Sequence, residues 1–386
     1  MDVVIIGAGV GGLAAAVGLV RRGHRVRVFE RGERLRTGGA ALSLWSNGTA
    51  ALGGLGIDPV GLGRPTDTVV GSTPTGAELY RLDLRAVSED LGWPNLCLPR
   101  RELLERLMSE LPDGVVSFGP ACTGARTEPG RATALFEDGS TAGADVVVGA
   151  DGLRSAVRAG LWPGDAPRPC GYASWQGLAP LPIELAGSRT SRWLSGAEGT
   201  CGIIPAGGGQ VQWWFDLPWT PDDPEPSHPA EVLRERFGSW SDSDVRTVLS
   251  HVRDADVSLF PHMRTRVPRV WGAGRVTLLG DAVHSFPPST AQGANQALEG
   301  ALVLCAALDA ARGDDAAAAL RRYERVRRPC AARASWVSGR QPTQFVKGST
   351  RPLPLSGAAL GSFLKGYLKL VSNALRDAPR GPVARA

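Results

Sequence analysis

The stretch "VVIIGAGVGGLAAAVGLVRRGHRVRVFE", residues 3–30, leaves a chain few ways to fold. A β-branched run enters Gly7-Ala8-Gly9-Val10-Gly11-Gly12, an alanine-rich helical segment follows, and a second strand ends at Glu30. Each glycine has a steric reason at this spacing. Gly7 permits the tight turn, Gly9 lets a pyrophosphate approach the backbone, and Gly12 lets helix and strand pack closely. The exposed N–H groups at the helix start then face the phosphates. Glu30 follows Gly12 by 18 residues, near where an acid reaches the ribose hydroxyls of an adenosine. Strand, turn, helix, strand and terminal acid together predict dinucleotide binding, with FAD and NAD(P) both open at this point. The uncharged run from Val3 to Val20 is long enough for a membrane span, but its internal glycines favour strand, turn and helix.

A second apolar strand opens the same way. In "GRVTLLGDAVHSFPPSTAQGANQALEGA", residues 274–301, the strand runs to Asp281, and a histidine, two prolines and small polar residues precede a helix opening at Gln292, Gly293 and Asn295. A plain connection needs only a short turn and a cap. This one is built to hold a ligand against the helix start.

The intervening chain alternates element types. Residues 38–56 are small and glycine-rich, which suits backbone lying against a flat ligand. "TVVGSTPTGAELYRLDL" reads as a hairpin turning at Thr75-Gly76, and "LPRRELLERLMSEL" as a helix with Leu103, Leu104, Leu107 and Leu111 on one face. Asp138-Gly139 marks another hairpin, and a further apolar strand runs into Asp151-Gly152. From 161 to 267 proline, glycine and tryptophan rise, and seven of the 11 tryptophans fall between Trp162 and Trp240. The expected fold is therefore α/β, a Rossmann-like nucleotide-binding domain with an inserted sheet-rich substrate domain and a C-terminal helical segment. The first takes residues 1–70, 96–160 and 268–330, the second 71–95 and 161–267, and the third 331–386. Pro329 should kink or break the late helical stretch. The last helix places Leu360, Phe363, Leu364, Tyr367, Leu368, Val371 and Leu375 on one face, which should pack on the body or on a partner subunit rather than on a membrane.

Several function classes fall away. The net charge is +5, but the basic residues are 40 arginines and three lysines interspersed with acids, with no clustered stripe for nucleic acid. Six cysteines without CxxC spacing read as reduced core thiols of a cytoplasmic protein, and the first strand begins too early to leave room for a signal peptide. Asn47-Gly48-Thr49 matches a glycosylation pattern by chance. Five scattered histidines show no metal-ligand spacing, and there is no GxSxG.

Three motifs taken in order, Gly7 to Gly12 with Glu30, "GADGLRSAVR" at 149–158, and "LLGDAVHSFPPSTAQGANQALEGA", resemble the single-component FAD-dependent aromatic-ring monooxygenases of the p-hydroxybenzoate hydroxylase type. The resemblance implies FAD as cofactor, NADH or NADPH as reductant and O₂ as co-substrate. A flavin C4a-hydroperoxide would hydroxylate or epoxidise an aromatic or polycyclic, electron-rich and mostly apolar small molecule. Beside Gly7, Gly9, Gly12 and Glu30, the implied cofactor contacts are Arg31, Gly39, Ala40, Ala41 and Arg100. Asp151, Gly152 and Arg154 would touch the pyrophosphate region and NAD(P)H, while Gly280 and Asp281 would hold the ribitol or ribose side. Pro288, Gly293, Ala294 and Asn295 would form the reacting edge, next to Gln292. Backbone N–H groups there face the flavin N1–C2=O edge, where a helix start favours negative charge by up to about 2 kcal/mol. Two positions depart from the family pattern: Ala291 replaces a glycine, which could shift flavin mobility, and Gly300 replaces an acid, which should weaken a helix contact.

Within the family, the sequence looks most like the urate hydroxylases and the salicylate- and 3-hydroxybenzoate-hydroxylase branch. The urate branch relies on an arginine and a tyrosine where this chain has Thr200 or Cys201, and Gln212, so urate itself is disfavoured. Trp175, Trp193, Gln212, Trp214 and Phe286 suggest a larger, flatter and less charged substrate. Alternation sends Gln212 and Trp214 to one face and Trp213 and Phe215 to the other, without saying which faces the ligand. His284 either packs or transfers a proton. The alternatives are a flavin oxidase or dehydrogenase on the same scaffold, or a non-catalytic FAD-binding sensor; the assembly is a monomer or homodimer.

Overall fold

A computed structural model describes residues 1–36, 38–311, 315–340, 356–377 and 381. A five-stranded parallel sheet is ordered Val276–Leu278, Val146–Gly149, Asp2–Ile6, Arg25–Glu30 and Val116–Phe118. Its central strands are runs of valine and isoleucine because both faces are covered. The helix Val10–Val20 packs against the helix Gly293–Asp309. The span-length run at Val3–Val20 is thus a strand and an 11-residue helix. No helix among the described residues is long and apolar enough to cross a membrane. Ile6, Glu30, Gly149 and Leu278 all end at one edge of the sheet, the edge where such sheets take ligands.

The local turns follow the sequence. Gly76 N–H donates to Thr73 and Gly139 N–H to Phe136, closing two antiparallel hairpins. Leu103, Leu104 and Leu107 are buried on the helix Arg100–Ser109. A seven-stranded sheet is ordered Ser258–Arg264, Arg168–Pro180, Gln210–Pro218, Thr200–Gly207, Thr190–Ser195, Thr68–Ser72 and Glu78–Asp83. One of its faces is closed by the helices Pro229–Phe237 and Ser243–His251, whose Leu233, Phe237, Val245 and Val248 form one core with Trp213 and Phe215. The other face carries Gln212, Trp214 and Asp216.

Three expectations are corrected here. The helix Ala316–Ser338 runs through Pro329 without a break, its buried face of Tyr323, Arg327, Cys330 and Ala334 holding it in place. On the helix Gly357–Leu370 the stripe does pack on the body through Leu364, Tyr367 and Leu368, with Val371 and Leu375 just beyond it, and the correction is Phe363, which is 76% exposed. Six free cysteines are present, but Cys122 and Cys170 are only half-buried rather than core. The rest of the C-terminal segment, 341–355, 378–380 and 382–386, lies outside the described residues.

A buried ionic latch docks the C-terminal segment. Glu299 and Arg327, both without exposed side-chain surface, approach to 3.8 Å. Glu299 accepts the N–H groups of Asn373 (2.8 Å) and Ala374 (3.0 Å) and the hydroxyl of Ser372. Arg327 donates to Asn373 Oδ1 and Gln296 Oε1, each at 2.6 Å. Removing one partner strands a buried charge, so Glu299→Ala should cost about 3–5 kcal/mol in denaturant unfolding. A loss below about 1 kcal/mol would show that the latch does not hold the segment.

Candidate functional site

The glycine loop is as tight as its sequence demands. Gly7 has φ +103°, and a Cβ there would lie 2.5 Å from the Ala150 carbonyl oxygen. One at Gly12 would lie 2.0 Å from the Gly7 oxygen. Gly9 is different: it caps the helix with no side-chain bond, and a Cβ would meet nothing within 4 Å. Glu30 braces the loop, accepting the N–H of Ala8 at 2.9 Å and of Gly32 at 3.0 Å, and a carboxylate keeps further lone pairs for a ribose hydroxyl.

Charged residues from distant parts of the chain form the cleft floor. Asp281 is exposed, yet the protein around it raises its carboxyl above the ordinary range, with Arg100 opposing. A side chain both accessible and desolvated by its surroundings stands inside a cleft. Desolvation lowers the Arg100 guanidinium, as does Arg36, while Asp281 and Glu30 favour its charge. Glu30, Arg100 and Asp281 therefore share one electrostatic neighbourhood. Gly280, which starts the short helix Asp281–His284, has φ +64°. Arg31 and Arg154 are exposed, and Gly39 and Gly152 have open space where a Cβ would be. Asp151 is a correction: its carboxylate accepts from Ser155 Oγ (2.6 Å) and the N–H groups of Ala156 (2.7 Å) and Val157 (3.2 Å), so it serves the start of the helix Ala156–Leu161. The sequence reading missed Arg158, which donates to Ala282 O and Leu153 O and ties the second motif to the third.

At the Gly293 helix the side chains turn away from the cleft. Gln292, expected at the cofactor, is fully buried and exchanges hydrogen bonds with Asn47 at 3.2 and 3.3 Å while accepting from Gln296 at 2.9 Å. That burial also removes Asn47 as a glycosylation acceptor. Asn295 accepts from Trp45 N–H (3.0 Å) and donates to Ser43 O (3.0 Å) and Ala291 O (2.6 Å). What can face the cleft is backbone, from Gly293, Ala294 and Asn295. No side chain caps this helix, and a Cβ at Gly293 would meet nothing within 4 Å. Pro288 is exposed in the turn Pro288–Thr290, and Ala291 follows at φ +49°, the one non-glycine residue with positive φ among those described. Gly300 has a packing reason, since a Cβ there would lie 2.7 Å from Leu279 Cδ1; its lack of a side chain permits a helix contact rather than weakening one.

Gln212 Oε1 accepts the Ala41 N–H at 2.6 Å, which turns the sheet face carrying Gln212 and Trp214 toward the Ala41 strand. Trp214 lies over Gly202, where a Cβ would sit 2.0 Å from its ring, and meets Trp193 edge-on at 6.2 Å and 80°. Trp193 packs in turn against the apolar cluster of Trp45, Val69, Leu84, Val87 and Leu368, which Ala291 and Tyr367 also join. Ala40 is half-buried just before Ala41. Trp175 is corrected, because its register opposite Phe215 buries it in the core on the far face. Phe286 is corrected too, packing inward against Ala334 and Val371 and stacking on His284 at 5.9 Å. His284 lies fully buried between Phe286 and Trp271, with neither ring nitrogen bonded among the described residues.

Residues 1–336 match the FAD binding domain family. The chain belongs to the FAD-dependent aromatic monooxygenase family. It is 34% identical over 335 residues to the aurachin C monooxygenase/isomerase of Stigmatella aurantiaca, covering 85% of each chain. It is 35% identical over 351 residues to the 3-amino-4-hydroxybenzoate 2-monooxygenase of Streptomyces cremeus, covering 89% of this chain and 87% of that one. The crystal structure of Klebsiella pneumoniae HpxO complexed with FAD and uric acid aligns with a TM-score of 0.84 at 26% identity, covering 98% and 97%.

The trapped imidazole of this monooxygenase makes a measurable prediction. Burial pushes His284 down to about 3, with Arg327 adding to the shift. Stability from keeping the ring neutral is complete above the unfolded value of about 6.5 and drains as pH falls toward 3, amounting to about 2 kcal/mol lost by pH 5. His284→Phe should lose about 2 kcal/mol less than the parent between pH 7 and pH 5 in denaturant titrations. Identical acid dependence would show that the ring is solvated.

Proposed function

We propose that this protein is an NAD(P)H-dependent monooxygenase that carries FAD and inserts one atom of O₂ into a flat, electron-rich, mostly apolar molecule by hydroxylation or epoxidation. The observation behind this is an uncapped helix start at Gly293, open where a side chain would stand, across from the aromatic ceiling of Trp193 and Trp214. The residues present fit the cofactor. The open helix start at Gly9 suits the pyrophosphate, Glu30 the ribose, and Arg100 with Asp281 the sugar chain. When bound, FAD would take electrons from NADH or NADPH and activate O₂.

The chain's own part is placement. Backbone N–H groups of Gly293, Ala294 and Asn295 would favour negative charge at the pyrimidine edge of the flavin, by up to about 2 kcal/mol at a partly buried helix start. Pro288 would border the reacting edge. Gln212, fixed by the Ala41 N–H, and Trp214 would hold the substrate ring parallel to the sheet and keep water from it. No nucleophile is needed, because the bond-making chemistry belongs to the cofactor. The substrates named for the relatives, a hydroxybenzoate and uric acid, are themselves flat electron-rich rings.

The purified protein should be yellow with one FAD, and aromatic metabolites that accelerate NAD(P)H consumption should gain the mass of one oxygen atom. Peroxide without oxygenated product would make it an oxidase. Gly9→Val and Gly293→Val should fold with stability within about 1 kcal/mol of the parent and bind FAD at least about tenfold more weakly. Unchanged FAD affinity in both would remove these glycines from the site.

A further inference from the structure

Beyond Trp214 along the same face, the ceiling ends in a carboxylate. Asp216 Oδ1 accepts from Ser174 Oγ at 2.5 Å and Oδ2 from Thr200 Oγ1 at 2.9 Å, with the Trp214 side chain also within hydrogen-bonding reach. Ser174 spends its one proton on Asp216, so His262, 2.7 Å away through Nε2, must donate to the Ser174 oxygen. The Nε2 nitrogen therefore carries a proton, and burial, which pushes the ring down to about 4, keeps it neutral at pH 7. The cluster therefore carries one uncompensated negative charge. Burial pushes Asp216 up to about 6, which leaves it ionised at neutral pH. Among the described residues no arginine or lysine pairs with it; His262, at 3.9 Å, is the nearest basic group. Arg192, on the same sheet, sits opposite Ile203 on the far face and is engaged by Asp242 and Asp244.

The Asp216 side chain remains 23% exposed, and a carboxylate has about four acceptor positions. Donors within the protein fill three. Asp216 lies four residues beyond Gln212 on the same face, about 13 Å along the strand.

We infer, building on the oxygenase reading above, that the substrate is an aromatic molecule, neutral or cationic, that presents an N–H or O–H to Asp216, and is not an aromatic carboxylate. An anion at this end would face the Asp216 charge with no cation to offset it.

The test titrates the FAD-loaded protein with 5-hydroxytryptamine, 5-hydroxyindole, 5-hydroxyindole-2-carboxylate and 3-hydroxybenzoate. Binding is read by flavin absorbance and, independently, by isothermal titration calorimetry. The amine and the neutral indole should bind at least tenfold more tightly than either carboxylate. Asp216→Asn should shrink that ratio to below threefold, and Thr200→Arg, which sets a guanidinium beside the carboxylate, should reverse it. Carboxylates binding as tightly as the amine in the parent, or a ratio unchanged in both folded variants, would overturn the inference while leaving a yellow, FAD-bound protein. If instead the protein takes no FAD, the oxygenase reading fails, and the calorimetric titration still decides the charge preference.

Discussion

The positive end of the Gly293 helix points into an open cleft with no side chain to satisfy it, and much else in the protein serves to keep it there. Helix starts ordinarily recruit a cap, since their first N–H groups have no partner within the helix. Here the eligible residues are engaged elsewhere. Asn295 ties the helix to Trp45 and Ser43, Gln292 reaches Asn47, and Gln296 accepts from Arg327 and donates to the Val371 carbonyl. Glu299 then captures the backbone of Asn373 and Ala374. A chain of buried amides and one ion pair thus runs from Asn47, on the helix Ser46–Gly54, along the Gly293 helix to the C-terminal segment. Apart from Arg327 Nε, which has no partner among the described residues, its members bond one another, the condition under which buried polar groups rigidify.

The seven-stranded sheet does two jobs by alternation. Trp213 and Phe215 build a core with two helices, while Gln212, Trp214 and Asp216, the residues between and beyond them, build the ceiling of the site. On that face Thr200 donates a hydroxyl to Asp216. The scaffold is shared with relatives.

Ala291 shows how a departure from a family pattern looks in three dimensions. It adopts a left-handed conformation that a glycine would take without penalty, which costs an L-residue about 1–2 kcal/mol. It is held there by its neighbours. Asn295 binds its carbonyl, and Thr290 just before it accepts from the Trp45 indole and from the Tyr367 hydroxyl.

The glycine loop, the two hairpins, the leucine face at 103–107 and the loops at the strand ends were legible in the residues, because each rests on contacts between near neighbours in the chain. So was the gathering of Glu30, Arg100 and Asp281, through the resemblance to known flavoproteins. What only tertiary structure decided was direction. A strand's alternation has two phases that no local rule distinguishes, so Trp175 went to the core and Trp214 to the cleft according to which face the helices covered. Asp151 and Gln292 sit at the right loops with their side chains turned into the protein, because a buried N–H or amide nearby claimed them. Covalent spacing places a residue at a site; the partner packed against it determines which of its atoms face the ligand.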